Sequence, residues 1–232
     1  MEGSQAGASS SVPTVLAVTA TRLHLAPEGA SRVLGIAAAA LVAWLLGLPW
    51  LALPLLILTL AVAAFFRDPE RVPPRTSGVV LSGADGRITD TGEATLPGSS
   101  TDRFRRVSVF MSPLNVHVNR ASVSGEVIAV EHMAGEFRAA FSDHASEHNE
   151  RNLIVFQDLE GRRHPLVQVA GYLARRIVCR VRQHDRIEAG QRIGLIMFGS
   201  RVDHYLPLEY RITVKIGDRV RAGESILGEL AR

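Results

Sequence analysis

From Val33 to Phe66 the chain runs for 34 residues without one charged side chain. A run of that length has no ordinary place in the core of a soluble domain and reads as membrane sequence. One spanning helix needs about 20 residues and two full spans need about 40 plus a turn, so the stretch falls between the two cases. Gly47, Pro49 and Pro54 sit near its middle, where they can break a helix and let the chain reverse. Arg22 and Arg32 precede the stretch, and Arg67, Arg71 and Arg75 follow it. Positive charge on both flanks favours both ends on the cytoplasmic side, and hence a short helical hairpin in the inner membrane with a cytoplasmic domain. One long tilted or kinked span is the alternative.

The apolar stretch divides the chain into three segments. Residues 1–32 begin with Ser, Ala, Gly and Thr in no apolar period and read as a disordered leader. No positive region stands directly before a short apolar core and cleavage site, so a secretory signal is not expected. Residues 33–66 are the membrane segment, and residues 67–232 are a separate domain. Two arginines balance two glutamates in the first 66 residues, so the net charge of +3 lies wholly in that domain. The bias suits an anionic lipid surface and is too small to argue for nucleic acid. Cys179 is the sole cysteine, which excludes an internal disulfide, and Lys215 is the sole lysine.

Residues 78–230 hold short Val- and Ile-rich runs broken by glycine turns, among them GVVLSGADGRI, RRVSVFMS, NLIVFQD, QRIGLIMFG and SILGEL. The pattern predicts a mainly β domain with little helix, α+β once the membrane segment is counted. A short helix over 137–148 is the most that helical periodicity allows. HDRIEAGQRI, from His184, matches GDRVRAGESI, from Gly217, at an offset of 33 residues. Each copy reads as turn, strand, Ala-Gly turn, strand, the build of a barrel-sandwich hybrid with a pseudo-dyad.

Three polar residues stand out, each on a different strand end or turn, and would act together if the fold brings them to one place. Asp85 lies in a glycine-flanked turn (SGADGRI), His117 in an otherwise apolar extended run (FMSPLNVHVNR), and Ser200 after four apolar residues and a glycine (LIMFGSRVD). Singly they read as a turn aspartate, a core histidine and a strand-ending turn. Jointly they offer an orienter, a base and a nucleophile. His144 and His148 have the i,i+4 spacing of two metal ligands, yet no HExxH pattern or third ligand accompanies them, and no metal is expected.

The combination FFRDPER, ADG, FMSPLNVHVNR, EHNERN and GLIMFGSRVD resembles the phosphatidylserine decarboxylase family, in the short branch that carries a GS motif. The resemblance runs from about Phe65 to the C-terminus and implies a pyruvoyl enzyme that processes itself. Ser200 would attack the carbonyl of Gly199, turning the peptide bond into an ester. Elimination would free a chain ending at Gly199 and leave dehydroalanine at position 200, which hydrolyses to the pyruvoyl cofactor. Asp85 and His117 match the family's activating pair. Phosphatidylserine is the implied substrate, phosphatidylethanolamine and carbon dioxide the products, and two chains from one precursor the working form, with a homo-oligomer also compatible. His117 is the candidate proton donor in decarboxylation, although longer members carry a second histidine shortly before it where this chain reads SPLN. Arg151, in NERN, and Arg201, beside the cleavage site, are candidate phosphate contacts. Cutting at Ser200 would place the two copies of the repeat on different chains.

Three other readings compete. A membrane-anchored adaptor on the same fold leaves Asp85, His117 and Ser200 unexplained, and the carrier version lacks a lysine at a hairpin tip. A serine hydrolase would be expected to carry a GxSxG elbow, which Ser200 lacks. A pyruvoyl decarboxylase of another amino-acid-type substrate would have less use for the membrane segment.

Overall fold

The structure, a computed structural model, describes residues 23–99, 101–135, 149–171, 176–197 and 199–231. The helix expected over 137–148 falls outside the described residues.

The charge-free stretch forms two helices, α1 (Pro27–Leu45) and α2 (Pro49–Phe65). Each starts with a proline in its first turn, where the missing N–H costs nothing. Between them the chain reverses at Gly47, whose φ of 72° a side chain would resist. Small residues, Ala40, Ala43 and Ala52, are buried on the pair, while Leu41, Trp44, Trp50, Leu53, Ile57 and Leu60 are exposed. Pro54 stays inside α2 without ending it. A three-residue ribbon, β1 (Leu23–Leu25) against β2 (Arg67–Pro69), ties the outer ends together, so this is a hairpin with both ends on one side. Within the segment expected as leader, residues 23–32 are structured: β1 and the start of α1 precede Val33. They are held by the ribbon, by Glu28 on Arg180, and by Arg32 over the Phe66 ring.

All the regular secondary structure in the rest of the described chain is strand. Its elements are β3 (Val79–Leu81), β4 (Gly86–Thr95), β5 (Arg103–Met111), β6 (Val118–Arg120), β7 (Gly125–Met133), β8 (Arg151–Gln157), β9 (Arg163–Val169), β10 (Ile177–Cys179), β11 (Arg186–Ile187), β12 (Arg192–Ile196), β13 (Ser200–Leu206), β14 (Tyr210–Ile212), β15 (Arg219–Val220) and β16 (Ile226–Leu230). A curled eight-stranded sheet runs β11-β7-β8-β9-β13-β5-β4-β15, flanked by β10-β12-β6 and β14-β16-β3. The order is symmetric about the β9–β13 contact. β4, β5, β13 and β15 match β7, β8, β9 and β11, while β3, β14 and β16 match β6, β10 and β12.

Local detail repeats as well. Gly217 N–H donates to the Ile88 carbonyl and Ile88 N–H to that of Asp218; His184 and Val127, then Val127 and Asp185, do the same in the other half. Register shifts fall at Ile88/Asp90 and at Val127/Ala129. The halves meet where Gly190 and Gly223 approach so closely that a Cβ on Gly223 would lie 3.2 Å from the Gly190 Cα. The repeat seen in 184–193 and 217–226 is thus the visible portion of a duplication of the whole β domain.

The halves are nested. One is β6 to β12 without interruption, and the other is β3 to β5 completed by β13 to β16. The 199–200 bond therefore does more than separate the repeats: it lies at the junction where the second half resumes, so a cut there would leave β3 to β5 on one chain and β13 to β16 on the other. β13 is a central strand, paired over seven positions with β5 and over four with β9, and it is buried throughout. The charged residues just after Ser200 do not reach solvent for that reason. Asp203 and His204 lie inside the sheet instead, satisfied by Arg201 and by the Gly83 N–H.

Candidate active site

Register brings the three sequence candidates to one end of the large sheet. Ser200 opens β13 opposite Met111, the last residue of β5. Gly86, next to Asp85, opens β4 on the other side of β5, so closely that a Cβ there would lie 2.1 Å from the Phe110 carbonyl oxygen. Asp85 and Ser200 thus flank the end of β5, two strand spacings or about 10 Å apart along the backbone. His117 follows the loop that leaves β5, and its carbonyl accepts from Ile196 N–H, four residues before Ser200.

The environments suit chemistry on the chain itself. Ser200 is fully buried, and the nearest partner of its hydroxyl is the Met111 sulfur at 3.5 Å, a weak acceptor that leaves the proton available. Gly199 has φ 60°, and nothing lies within 4 Å of where its Cβ would stand. Glycine allows that left-handed turn and leaves its carbonyl open to approach. His117 is 2% exposed, with Nδ1 2.9 Å from the Asn115 carbonyl and Nε2 unpartnered among the described residues. Because a carbonyl only accepts, Nδ1 carries the proton and Nε2 presents a lone pair. Burial, with a smaller push from Arg67, lowers the His117 pKa to about 4, so the imidazole is a neutral base at physiological pH.

Asp85 is also buried, and burial raises its pKa against the opposing pull of the Ala222 N–H and Arg71. Its carboxylate accepts from Ala222 N–H at 2.7 Å and from Arg71 at 2.8 Å. Asp85 and His117 are therefore each oriented by partners of their own.

The hairpin base completes the surroundings of the histidine. Phe65, at the end of α2, lies 4.2 Å from the His117 ring between centroids, and Phe66, Val116, Val118 and Leu195 pack around it. Arg67 donates to the Ala64 carbonyl at the helix end and to the Leu114 carbonyl of the histidine loop, both at 2.6 Å. The helical hairpin thus seats directly on the loop that carries His117.

Arg201 and Arg151 share one cross-strand row, Arg87–Phe110–Arg201–Val169–Arg151. Arg201 is only 6% exposed and its guanidinium is chelated by Asp203 at 2.9 and 3.1 Å, so its charge is already answered. Arg151 is half-buried with Nε on the Met133 sulfur. His144 and His148 lie outside the described residues. Met111, Asn115, Arg71, Phe65 and Arg67 were missed by sequence reasoning as site residues. Asn115 had a signal: the SPLN turn, in which its side chain accepts from Ser112 N–H. Met111 had none, because its role depends on register alone.

A family model for phosphatidylserine decarboxylase matches residues 58–228. The phosphatidylserine decarboxylase proenzyme of Mycolicibacterium smegmatis is 49% identical over 174 residues, 74% of this chain and 75% of that protein. The proenzyme of the same name from Solidesulfovibrio magneticus is 44% identical over 208 residues, 89% of this chain and 96% of that one. That of Gluconobacter oxydans is 47% identical over 169 residues, 72% of this chain and 75% of its own length. The matched region takes in the end of α2, the Asp85 turn, the His117 loop and the Gly199-Ser200 bond, and the chain belongs to the phosphatidylserine decarboxylase family.

Proposed function

We propose that the chain is a proenzyme that cuts itself between Gly199 and Ser200 and then decarboxylates phosphatidylserine to phosphatidylethanolamine at the membrane. The observation that carries this reading is a neutral His117 with a free Nε2 at the same sheet end as a buried serine that follows a left-handed glycine.

In the self-cleavage, Ser200 Oγ gives its proton to His117 Nε2 and bonds to the Gly199 carbonyl carbon. The C–N bond breaks, the nitrogen takes up the proton, and an ester replaces the amide. Asp85 would favour the imidazolium that forms in passing. Loss of the Ser200 α-proton then expels the Gly199 carboxylate from Cβ and leaves dehydroalanine; water adds and ammonia departs. A small uncharged keto-acyl group fits the buried position beside Met111. The pyruvoyl group supplies a carbonyl for the substrate's amine and a sink for the electrons left by carbon dioxide. His117 is then placed to return a proton.

The hairpin supports a lipid substrate. At about 1.5 Å per residue, helices of 19 and 17 residues are about 25–28 Å long, near the thickness of a bilayer's hydrocarbon core. α1 is long and apolar enough to cross by length and composition. Exposed Leu, Ile and Trp side chains on the pair would otherwise face water. Arginines at both ends favour a cytoplasmic β domain at the inner membrane.

Ser200→Ala and His117→Ala are each expected to leave the precursor uncut when the full chain is expressed and followed on a denaturing gel. Efficient cleavage in His117→Ala would remove the histidine from the activating role.

A further inference from the structure

The duplication provides an internal control for surface charge, and at one place the halves disagree. In the β11–β7 pair, Arg186 stands opposite Glu126. At the matching place in the β15–β4 pair, Arg219 stands opposite Arg87. Two residues on, Glu188 of one half is replaced by Arg221 in the other. Directly opposed side chains of like charge destabilise a strand pair. Among the described residues no carboxylate forms an ion pair with Arg87 or Arg219, and Arg221 reaches only Glu224, at 3.8 Å. The three arginines line a cavity of 580 Å³ whose other walls include Asp85, Ser112 and Asn115. Leu114, 84% exposed, stands at its lip, on the loop that Arg67 fastens to the hairpin base.

We infer that Arg87 and Arg219, with Arg221, form the site that takes the phosphodiester of a lipid headgroup. The inference rests on the proposed lipid substrate and names the place where its phosphate sits. A monoanion between Arg87 and Arg219 turns a repulsive cross-strand pair into two charge-assisted contacts. Arg87 lies two strands from Arg201, the neighbour of the processed position, about 10 Å away along the sheet. A headgroup anchored on these arginines can therefore extend its amine toward position 200, while its acyl chains leave past Leu114 toward the hairpin. Arg201 does not perform this task, since Asp203 already holds it.

The test is calorimetric binding of dihexanoyl phosphatidylglycerol, a water-soluble phosphodiester lipid without an amine, to the purified full chain in detergent. The wild type is expected to bind, and Arg87→Gln/Arg219→Gln to bind at least tenfold more weakly, while Arg186→Gln in the other half binds like wild type. Equal binding by the double variant and the wild type, or none by the wild type, overturns the site. Inorganic phosphate binding more tightly than the lipid would overturn the headgroup assignment in favour of a free-phosphate site. The readout needs neither cleavage nor turnover. Arginine-dependent binding by a chain that never processes itself would keep the site and reject the decarboxylase reading instead.

Discussion

The two halves of the β domain share a backbone plan and differ in what they place at the same turn. Before β4, the Asp85 carboxylate accepts the Ala222 N–H at 2.7 Å; before β7, the Ser124 hydroxyl accepts the Ala189 N–H at 2.9 Å. Ala222 and Ala189 are equivalent in the repeat, so the two side chains do the same structural task. A hydroxyl suffices for it. The carboxylate at Asp85 is thus more than the turn requires, and it is kept despite burial that raises its pKa and despite engaging Arg71 to balance it. Charge also separates the halves at Arg87, Arg219 and Arg221. Both departures fall in the half that a cut at 199–200 would divide between two chains, so the halves share a scaffold and differ around the candidate site.

Making the halves alike should produce the largest effect. Asp85→Ser gives its half the other's turn; the fold is expected to survive, and self-cleavage to slow by roughly 100-fold or more, the scale of a lost acid–base partner. A thermal melt close to wild type with cleavage unimpaired would reduce Asp85 to a turn residue. Next is the packing at the dyad. Gly190 has φ 81° and a Cβ there would lie 2.5 Å from the Pro73 Cγ, so Gly190→Ala should cost about 1–3 kcal/mol by denaturant unfolding. A third prediction concerns pH. The cleaving form has neutral His117, so the rate should be flat from pH 8 to about 5 and fall up to tenfold per unit below about 4. Protonation of Asp85, whose pKa is raised, works in the same direction. A decline already complete at pH 6.5 would mean an unburied histidine. Smallest is the reverse exchange: Ser124→Asp, on the half without the site, should leave the cleavage rate within about twofold in a time course of processing.

Much of this was legible in the sequence because it depends on local pattern. The charge-free length, the prolines at 49 and 54 and the arginines on both flanks led to the hairpin, and alternating Val and Ile runs led to β5, β7, β8 and β12. β9 and β13 escaped. Their segments, RHPLVQV and SRVDHYL, carry charges and a proline that read as loop, and only their central place in the sheet, with Arg201 on Asp203 and His164 on Asp158, makes those residues interior. The repeat was visible where turn glycines had to be kept, at Gly190 and Gly223, and invisible in β4 against β7, where side chains had diverged on a common backbone. Asp85, His117 and Ser200 were singled out through their motifs. Their partners were not, because Arg71, Met111 and Phe65 reach the site through register and helix docking.

The nesting of the halves bears on the processed form. After a cut at 199–200 the short chain keeps β13 between β5 and β9, β15 on β4 and β16 on β3, so the pieces should stay together under native conditions. Intact-mass analysis of the purified, denatured protein tests the central claim most directly. The account predicts two masses, residues 1–199 and residues 200–232, with the shorter piece blocked at its N-terminus and gaining mass on borohydride reduction. A single full-length chain in a preparation that releases carbon dioxide from phosphatidylserine would contradict it.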